Sequence, residues 1–244
     1  MPHAGRRPGC NAAGMNIVIL TGAGISAESG VKTFRDDDGL WEGHDIQEVA
    51  TPEAFERNPV LVQRFYDERR SQVLSVEPNA AHFALARLER ELAGNLLVVT
   101  QNVDDLHERA GSSNVEHMHG ELLSALCQKC RNRFEWHEPL SGEPACPGCG
   151  AARLRPDIVW FGEVPYHMDR IVREIRACDV FAAIGTSGVV YPAAGFVSLA
   201  AETGSHTVEL NLQSSSVASV FDEVREGPAT AVVTQWVNEL IGGA

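Results

Sequence analysis

Four cysteines are the residues whose types and spacing point most directly to a chemistry. Cys127 and Cys130 form one C-x-x-C pair, Cys146 and Cys149 form a second, and 15 residues separate the pairs. Two such turns can present four thiolates to one tetrahedral zinc ion. Since four thiolates leave no coordination position for water, the metal is expected to be structural. Disulfides are the alternative, and they are disfavoured in a cytosolic protein.

A glycine-rich loop follows the first apolar run of the chain. Residues 17–20 lead into Gly-Ala-Gly-Ile-Ser-Ala at 22–27, which fits the G-x-G-x-x-G/A dinucleotide fingerprint. Glycine permits a tight turn and a close backbone approach to a pyrophosphate. A dehydrogenase would also need a second strand that ends in an acid about 20 residues on. Glu42 and Asp45 lie at that distance, but no strand leads to them, so hydride transfer is the weaker interpretation.

The elements that must position this loop alternate along the chain. Apolar runs without alternation indicate strands buried on both faces; they lie at 17–20, 96–99, 180–184 and 207–210. Helical patterns lie between or after them, beginning with Thr51-Pro52 and continuing at 79–93, 168–177 and 234–241. Together they predict an α/β fold with a Rossmann-like, doubly wound parallel sheet. Ligands bind beyond the carboxyl ends of such strands, where polar residues follow each run.

Two histidines at one of these strand ends are candidates for proton transfer. His117 and His119 follow a short predicted strand at 115–116. Either neutral imidazole could accept a proton from a hydroxyl, and the local sequence does not choose between them. A structural role is the usual alternative for any one histidine.

The distribution of residue types along the chain predicts how it is divided into domains. Cysteines, glycines and prolines between Cys127 and Arg155 indicate a small module inserted into the sheet domain. We expect residues 1–14 to be a disordered leader and residues 15–34, 76–120 and 156–244 to form the Rossmann-like, dinucleotide-binding domain. Residues 35–75 would be the helical part of a smaller domain, and residues 121–155 its zinc-binding module.

The charge of the chain bears on its partners. Asp and Glu number 33 against 20 Lys and Arg, a net charge of −13, which disfavours nucleic acid and favours lysine-rich segments. A DNA-binding zinc ribbon fits poorly, because the module offers only Lys129, Arg131 and Arg133. No apolar run is long enough to cross a bilayer, and none follows the basic start as in a signal peptide. We therefore expect a cytoplasmic monomer that binds neither nucleic acid nor membranes.

Taken in order, the motifs resemble the sirtuin family, most closely its bacterial CobB-type, class III members. They are residues 22–30, Phe34-Arg35, residues 101–104, His119-Gly120, the four cysteines, residues 161–163, residues 185–187 and Asn211. The match runs from about Met15 to the C-terminus. One departure is Lys32, which stands where many sirtuins carry proline in the loop that closes over NAD.

The resemblance implies an NAD-dependent protein-lysine deacylase. In this family the acyl oxygen attacks the ribose carbon that bears nicotinamide, which yields free lysine, nicotinamide and O-acyl-ADP-ribose. His119 would be the general base, with Asn102 and Asp104 as further catalytic residues. An NAD-dependent protein ADP-ribosyltransferase on the same fold is the alternative, since it would share every cofactor residue. A zinc-dependent scaffold without catalysis is a third possibility.

The resemblance also implies two binding surfaces besides the structural zinc site. NAD, as co-substrate, would contact Gly22, Ala23, Gly24, Ile25, Ser26, Ala27, Phe34, Arg35, Trp41, Gln101, Asn102, Val103, Asp104, Gly185, Thr186, Ser187, Asn211, Leu212, Gln213 and Ala229. An acyl-lysine peptide would lie as an added strand between two edges. These edges are Phe161, Gly162, Glu163 and Val164 on one side and Val189 and Tyr191 on the other.

Tyr66 and Arg69 bear on the choice of acyl group. They lie three residues apart in a predicted helix and so share a face, where a phenol and a guanidinium together can bind a carboxylate. The alternative is a solvated helix face on which Arg69 pairs with Asp67 or Asp105. The pair matches sirtuins that act on succinyl-, malonyl- or glutaryl-lysine, so the resemblance implies desuccinylation with deacetylation retained.

Overall fold

The computed structural model describes residues 14–32, 40–41 and 44–242. Its strands are β1 (Asn16–Thr21), β2 (Leu40–Trp41), β3 (His44–Asp45), β4 (Asn95–Thr100), β5 (Val115–His117), β6 (Gly120–Cys127), β7 (Arg133–Glu135), β8 (Leu154–Ile158), β9 (Val180–Ile184), β10 (His206–Asn211) and β11 (Glu223–Glu226). Its helices are α1 (Ile46–Val49), α2 (Pro52–Arg57), α3 (Pro59–Ser75), α4 (Ala80–Glu91), α5 (Leu106–Arg109), α6 (Met168–Ala177), α7 (Phe196–Glu202) and α8 (Ala229–Gly242).

Six parallel strands form the main sheet in the order β11-β10-β9-β1-β4-β5. Because side chains alternate between faces, Ile17 and Ile19 of β1 share a core with Leu85 of α4 and Trp236 of α8. Val18 and Leu20 face the opposite core with α6 and α7. Helices cover both faces of this parallel sheet, so the predicted doubly wound α/β fold is confirmed.

A smaller region packs beside the carboxyl ends of these strands. Strands β7, β6 and β8 form an antiparallel sheet, and α1, α2 and α3 pack against it through Val62, Phe65, Leu122 and Trp160. A separate small core surrounds the cysteines and includes Leu140. No helix within the described ranges has the length and apolarity needed to cross a membrane.

Charged residues of α3 connect the helical part of this region to the cysteine-bearing part. The Asp67 carboxylate accepts hydrogen bonds from the backbone N–H groups of Leu140 (2.8 Å) and Ser141 (2.9 Å). Asp67 also pairs with the buried Arg70 at 2.7 Å, and Arg70 donates to the carbonyl of Leu122 in β6. The helix is therefore fixed to both β6 and the loop beside the cysteines.

The helix boundaries agree with the sequence where the signal is local. Thr51 caps α2 by accepting from the Ala54 N–H, and Pro52 begins that helix, as predicted. Helix α8 begins at residue 229 rather than at the predicted residue 234. Its first turn is stabilised by Glu28, whose carboxylate accepts from both the N–H and the hydroxyl of Thr230. That partner is distant in sequence, so the local pattern of apolar residues could not indicate it.

Candidate active site at the carboxyl ends of the parallel strands

Two glycine loops meet at the end of β1. A Cβ added at Gly24 would lie 2.6 Å from the Cα of Gly185, and one added at Gly22 would lie 2.8 Å from the Gly185 carbonyl oxygen. Gly185 has φ +61°, and its carbonyl accepts from the Gly24 N–H at 2.8 Å. Glycine is thus required for one backbone to pack on another, as well as for any approach of a phosphate.

Three predicted site residues, Ser26, Asn102 and Asp104, are hydrogen-bonded to one another behind this loop. The Asn102 amide donates to the Gly22 carbonyl (3.2 Å) and to the Ser26 hydroxyl (3.1 Å). Ser26 in turn donates to Asp104 at 3.1 Å. Burial raises the pKa of Asp104 to about 6, against the smaller opposing effects of the Leu106 N–H and the Ser26 hydroxyl. The three side chains are therefore held in one orientation.

The environment of His119 suits a general base. It is partly exposed, and its Nδ1 lies 3.2 Å from the Gln101 carbonyl oxygen. A carbonyl can only accept, so Nδ1 carries the proton and Nε2 keeps its lone pair. Burial lowers the pKa of His119, which keeps the imidazole neutral near pH 7.

The environment of His117 is different, although it lies two residues away. It is buried, with Nδ1 3.2 Å from the Asn102 carbonyl and Nε2 2.8 Å from a Glu108 carboxylate oxygen. Burial alone would lower the pKa of His117, but the hydrogen bond to Glu108 raises it above its ordinary value. Both ring nitrogens face acceptors and suit a protonated ring, which leaves no lone pair for a substrate hydroxyl. The geometry therefore favours His119, a choice that the local sequence left open.

The far side of the candidate site is built from the ends of β9 and β10. Asn211 donates to the Thr186 carbonyl at 2.8 Å, and Gln101 donates to the Thr186 hydroxyl at 3.0 Å. Leu212, directly after β10, is exposed, and Ser187, in the loop after β9, is partly exposed. These contacts bring three of the predicted cofactor residues together across the strand ends. Phe34 and Arg35 lie outside the described residues, and only the backbone of Trp41, in β2, is described.

A buried polar layer beneath the site was not assigned a role from the sequence. Thr21 donates to Thr100 at 2.9 Å and lies 3.1 Å from Nε2 of His107, so it accepts the proton of that nitrogen. Thr100 also accepts from the Asn102 N–H at 3.0 Å. His82 packs edge-on against His107 and lies 3.4 Å from the Ser26 hydroxyl. These residues lie at the end of a strand or in the first turn of a helix, in separate segments of the chain. The layer is therefore visible only once the segments have come together in the fold.

Tyr66 and Arg69 lie together on the buried side of α3. Tyr66 is fully buried and Arg69 is 8 % exposed. The Arg69 guanidinium lies 3.3 Å from the centroid of the Phe65 ring and donates to the Phe65 carbonyl. Asp67 and Asp105, which the sequence offered as partners of Arg69, pair instead with Arg70 and with Arg109. The solvated helix face is therefore not what the structure has.

The two edges predicted to bind a peptide are exposed, except for the side chain of Glu163. Val164 and Tyr191 are each 79 % exposed, and Val189 and Phe161 are also exposed. Gly162 adopts φ +90°, which disfavours any side chain there. Glu163, by contrast, accepts two hydrogen bonds from Arg155, at 2.9 and 2.8 Å. Its carboxylate is thus bound to the protein, and its backbone N–H donates to the Trp160 carbonyl at 2.9 Å, which leaves only its backbone carbonyl oxygen for a peptide strand.

The four cysteines meet the geometric requirement for one zinc ion. They are free thiols whose sulfur atoms all lie within 4.8 Å of one another. Cys127 and Cys149 are 3.7 Å apart, as are Cys130 and Cys146. A tetrahedron with zinc–sulfur bonds of about 2.3 Å has edges of about 3.8 Å. The cluster fits a structural zinc site with no position for water.

With the geometry established, comparison with known proteins identifies the family. A family model described as Sir2 family matches residues 22–192. The chain belongs to the Sir2 family. An NAD-dependent protein deacylase of Pasteurella multocida is 57% identical over 230 residues, covering 93% of this chain and 98% of that protein. One of the same name from Bdellovibrio bacteriovorus is 54% identical over 229 residues, covering 93% and 97%.

Solved structures of this Sir2 family agree with the fold and the cofactor. A Sir2 homolog–NAD complex superposes with a TM-score of 0.86 at 39% identity, covering 98% of this chain and 96% of that one. A Sir2 homologue bound to ADP-ribose gives a TM-score of 0.86 at 41% identity, with coverages of 94% and 93%. A third relative, solved with a myristoylated histone peptide, gives a TM-score of 0.73 at 33% identity, with coverages of 94% and 92%.

Proposed function

We propose that this chain is an NAD-dependent protein-lysine deacylase that removes succinyl and malonyl groups as well as acetyl groups. The observation that carries the acidic preference is the pair of buried polar groups on α3, the Tyr66 hydroxyl and the Arg69 guanidinium. Arg69 lies 3.9 Å from a carboxylate oxygen of the exposed Glu68. A guanidinium presents paired N–H donors whose geometry matches a carboxylate, such as that of an acidic acyl group.

NAD supplies the ribose carbon that takes the acyl oxygen when nicotinamide leaves. Nε2 of His119 carries no proton, so its lone pair is suited to accept the proton of a ribose hydroxyl. Asn102 and Ser26, held by Gly22 and Asp104, would orient the nicotinamide end and limit access by water. Thr186 and Asn211 are suited to bind the adenosine half. Each of these roles is part of the proposal.

Acyl-lysine segments of other proteins are the proposed substrates. The exposed edges at residues 161–164 and 189–191 support binding of an extended peptide by main-chain hydrogen bonds. Such bonding tolerates many substrate sequences, which suits a broad set of targets. The absence of nucleic acid and membrane partners, a monomeric state and a cytoplasmic location stay predictions.

The decisive experiment compares acetyl- and succinyl-lysine forms of one peptide with NAD, following nicotinamide, deacylated peptide and O-acyl-ADP-ribose by mass. We expect both peptides to be deacylated and His119→Ala to lose at least a hundredfold in rate, since removal of a general base costs about 10²–10⁴. Arg69→Met should reduce kcat/KM for the succinyl peptide at least tenfold more than for the acetyl peptide.

The matched control is Arg64→Met, which makes the same change at an exposed position of α3. It should leave the ratio of the two activities unchanged. Equal losses on both peptides in Arg69→Met would contradict the acidic preference. Nicotinamide release without deacylation, with ADP-ribose attached to protein, would favour the transferase instead.

A further inference from the structure

Trp160 makes a hydrogen bond that constrains the Tyr66 hydroxyl. The indole Nε1 lies 3.0 Å from the Tyr66 oxygen, and both residues are buried. An indole N–H can only donate, so the Tyr66 oxygen is the acceptor in this contact. The single proton of the Tyr66 hydroxyl must therefore be directed to another group than Trp160.

The Tyr66 hydroxyl also keeps its proton. Burial raises the pKa of Tyr66 well above its ordinary value, and the smaller effects of Trp160 and Arg69 do not offset this. The group in the acyl site is thus a neutral phenol that can donate, beside a guanidinium that can only donate. Two donors suit an acceptor with several lone pairs, such as a carboxylate.

Trp160 itself is held in place from several directions. The Arg155 guanidinium lies 3.8 Å from the centroid of the indole, and Phe55 packs on it with ring centroids 5.2 Å apart. Glu163 accepts from the Trp160 backbone N–H at 2.9 Å and from both terminal nitrogens of Arg155. The indole N–H therefore has one fixed direction, and it points at Tyr66.

We propose that Trp160 determines acyl specificity as a positioning residue: its indole N–H donates to the Tyr66 oxygen and so orients the hydroxyl to meet the carboxylate of an acidic acyl group as a donor. A neutral acetyl group has no oxygen at that position and gains nothing from this arrangement. The inference rests on the proposed acidic-acyl function of Tyr66 and Arg69.

Trp160→Phe tests this, because it removes the donor and keeps an aromatic ring. We expect the ratio of succinyl to acetyl kcat/KM to fall about fivefold, the size expected for one oriented hydrogen bond. Trp136→Phe is the matched control, since it makes the same change in the cysteine-bearing part of the chain and should leave the ratio unchanged.

A double-mutant cycle shows whether Trp160 acts through Tyr66. In a Tyr66→Phe background the hydroxyl is gone, so adding Trp160→Phe should change the ratio less than twofold. A full additional loss there would overturn the inference, as would equal losses on the two peptides in Trp160→Phe alone.

The same set of variants separates the inference from the proposed function. If Tyr66→Phe and Arg69→Met leave the ratio unchanged, the acidic-acyl function itself fails. If they lower it and Trp160→Phe does not, only the positioning role fails.

If Trp160→Phe does not fold, the NMR resonances of the indole N–H groups provide the test instead. The chain has four tryptophans, so ¹⁵N-labelled protein should give four indole signals. We expect Tyr66→Phe to shift one of them, and the succinyl peptide to shift that same signal more than the acetyl peptide does. If no indole signal responds to Tyr66→Phe, the contact does not exist in solution and the inference is overturned.

Discussion

At the scale of single residues, partners rather than residue types decide the chemistry. His117 and His119 have the same side chain, yet one faces two acceptors and the other faces a single carbonyl. The sequence alone could not separate them, since neither Glu108 nor Gln101 signals its contact by spacing. The family resemblance selected His119, and the hydrogen bonds now give a physical reason for that choice.

Asp104 provides a prediction about pH. Its pKa is raised to about 6 by burial, so the folded state binds its proton more tightly than the unfolded state does. The stability that protonation contributes is fully present below about pH 4 and is lost as the pH rises through about 6. The displacement from 3.8 to about 6 corresponds to at most about 3 kcal/mol. Asp104→Asn, which stays neutral, should therefore raise the free energy of unfolding at pH 8.

Urea unfolding of the wild type and Asp104→Asn at pH 4.5 and pH 8 measures this effect. The advantage of the variant should be largest at pH 8 and small at pH 4.5. Asp169→Asn is the control, because it makes the same change at an exposed position of α6. An equal advantage for Asp104→Asn at both pH values would show that the charge on Asp104 is not the cause.

At the scale of elements, the sequence predicted what depends on local patterns. The runs at 17–20, 96–99, 180–184 and 207–210 lie in β1, β4, β9 and β10, since a strand buried on both faces must be apolar throughout. The contact of Glu28 with Thr230 and that of Asp67 with Leu140 depend on chain segments that meet only in the fold. Local sequence gives no signal for them. The predicted division of the chain into domains stays a prediction.

Asn79 connects the start of α4 to the segment that contains Ile25 and Ser29. Its substitution is expected to change both stability and cofactor binding. Its side-chain oxygen caps α4 by accepting from the Ala81 N–H, while its amide donates to the Ile25 carbonyl (2.8 Å) and the Ser29 hydroxyl (3.0 Å). Asn79→Ala removes both functions and should cost about 1 kcal/mol of stability as a lost cap. It should also raise the KM for NAD several-fold, because Ile25, Ser26 and Ala27 are predicted to bind NAD and lie in the segment that Asn79 holds through Ile25 and Ser29.

Asn79→Ser is the matched control, since serine keeps the capping oxygen and lacks the amide donors. We expect near wild-type stability by urea unfolding together with a raised KM for NAD in steady-state assays. A serine variant with a wild-type KM for NAD would show that the amide contacts do not affect the cofactor loop.

At the scale of the molecule, His119 lies where the two sheets meet. Strand β5 of the parallel sheet ends at His117, and β6 of the antiparallel sheet begins at Gly120. The His119 carbonyl accepts from the Val159 N–H at 2.8 Å, just beyond the end of β8. Trp160 follows directly, so the candidate base lies beside the residues that we propose to bind the acyl group.

The cysteine cluster is joined to this junction through α3. Asp67 accepts N–H bonds from Leu140 and Ser141 beside the cysteines, and Tyr66 and Arg69 lie on the same helix. Losing the zinc should therefore disturb the proposed acyl-binding residues on α3, although the ion would contact no substrate. A chelator should release one zinc per chain, lower the melting temperature and reduce desuccinylation. Metal release is measured by the absorbance of a zinc-binding colorimetric dye.

Asp67→Asn tests the connection through α3 without changing a zinc ligand. It removes the charge that pairs with the buried Arg70 and one of the two oxygens that accept from Leu140 and Ser141, so we expect a loss of about 3 kcal/mol in unfolding free energy. Zinc content should stay at one per chain, because no cysteine is changed, while the succinyl-to-acetyl ratio falls as α3 loosens. Glu68→Gln, at an exposed position of the same helix, should match the wild type in all three measurements. If Asp67→Asn is destabilised and yet keeps the wild-type ratio, the cysteine-bearing part supports the fold without influencing the choice of acyl group.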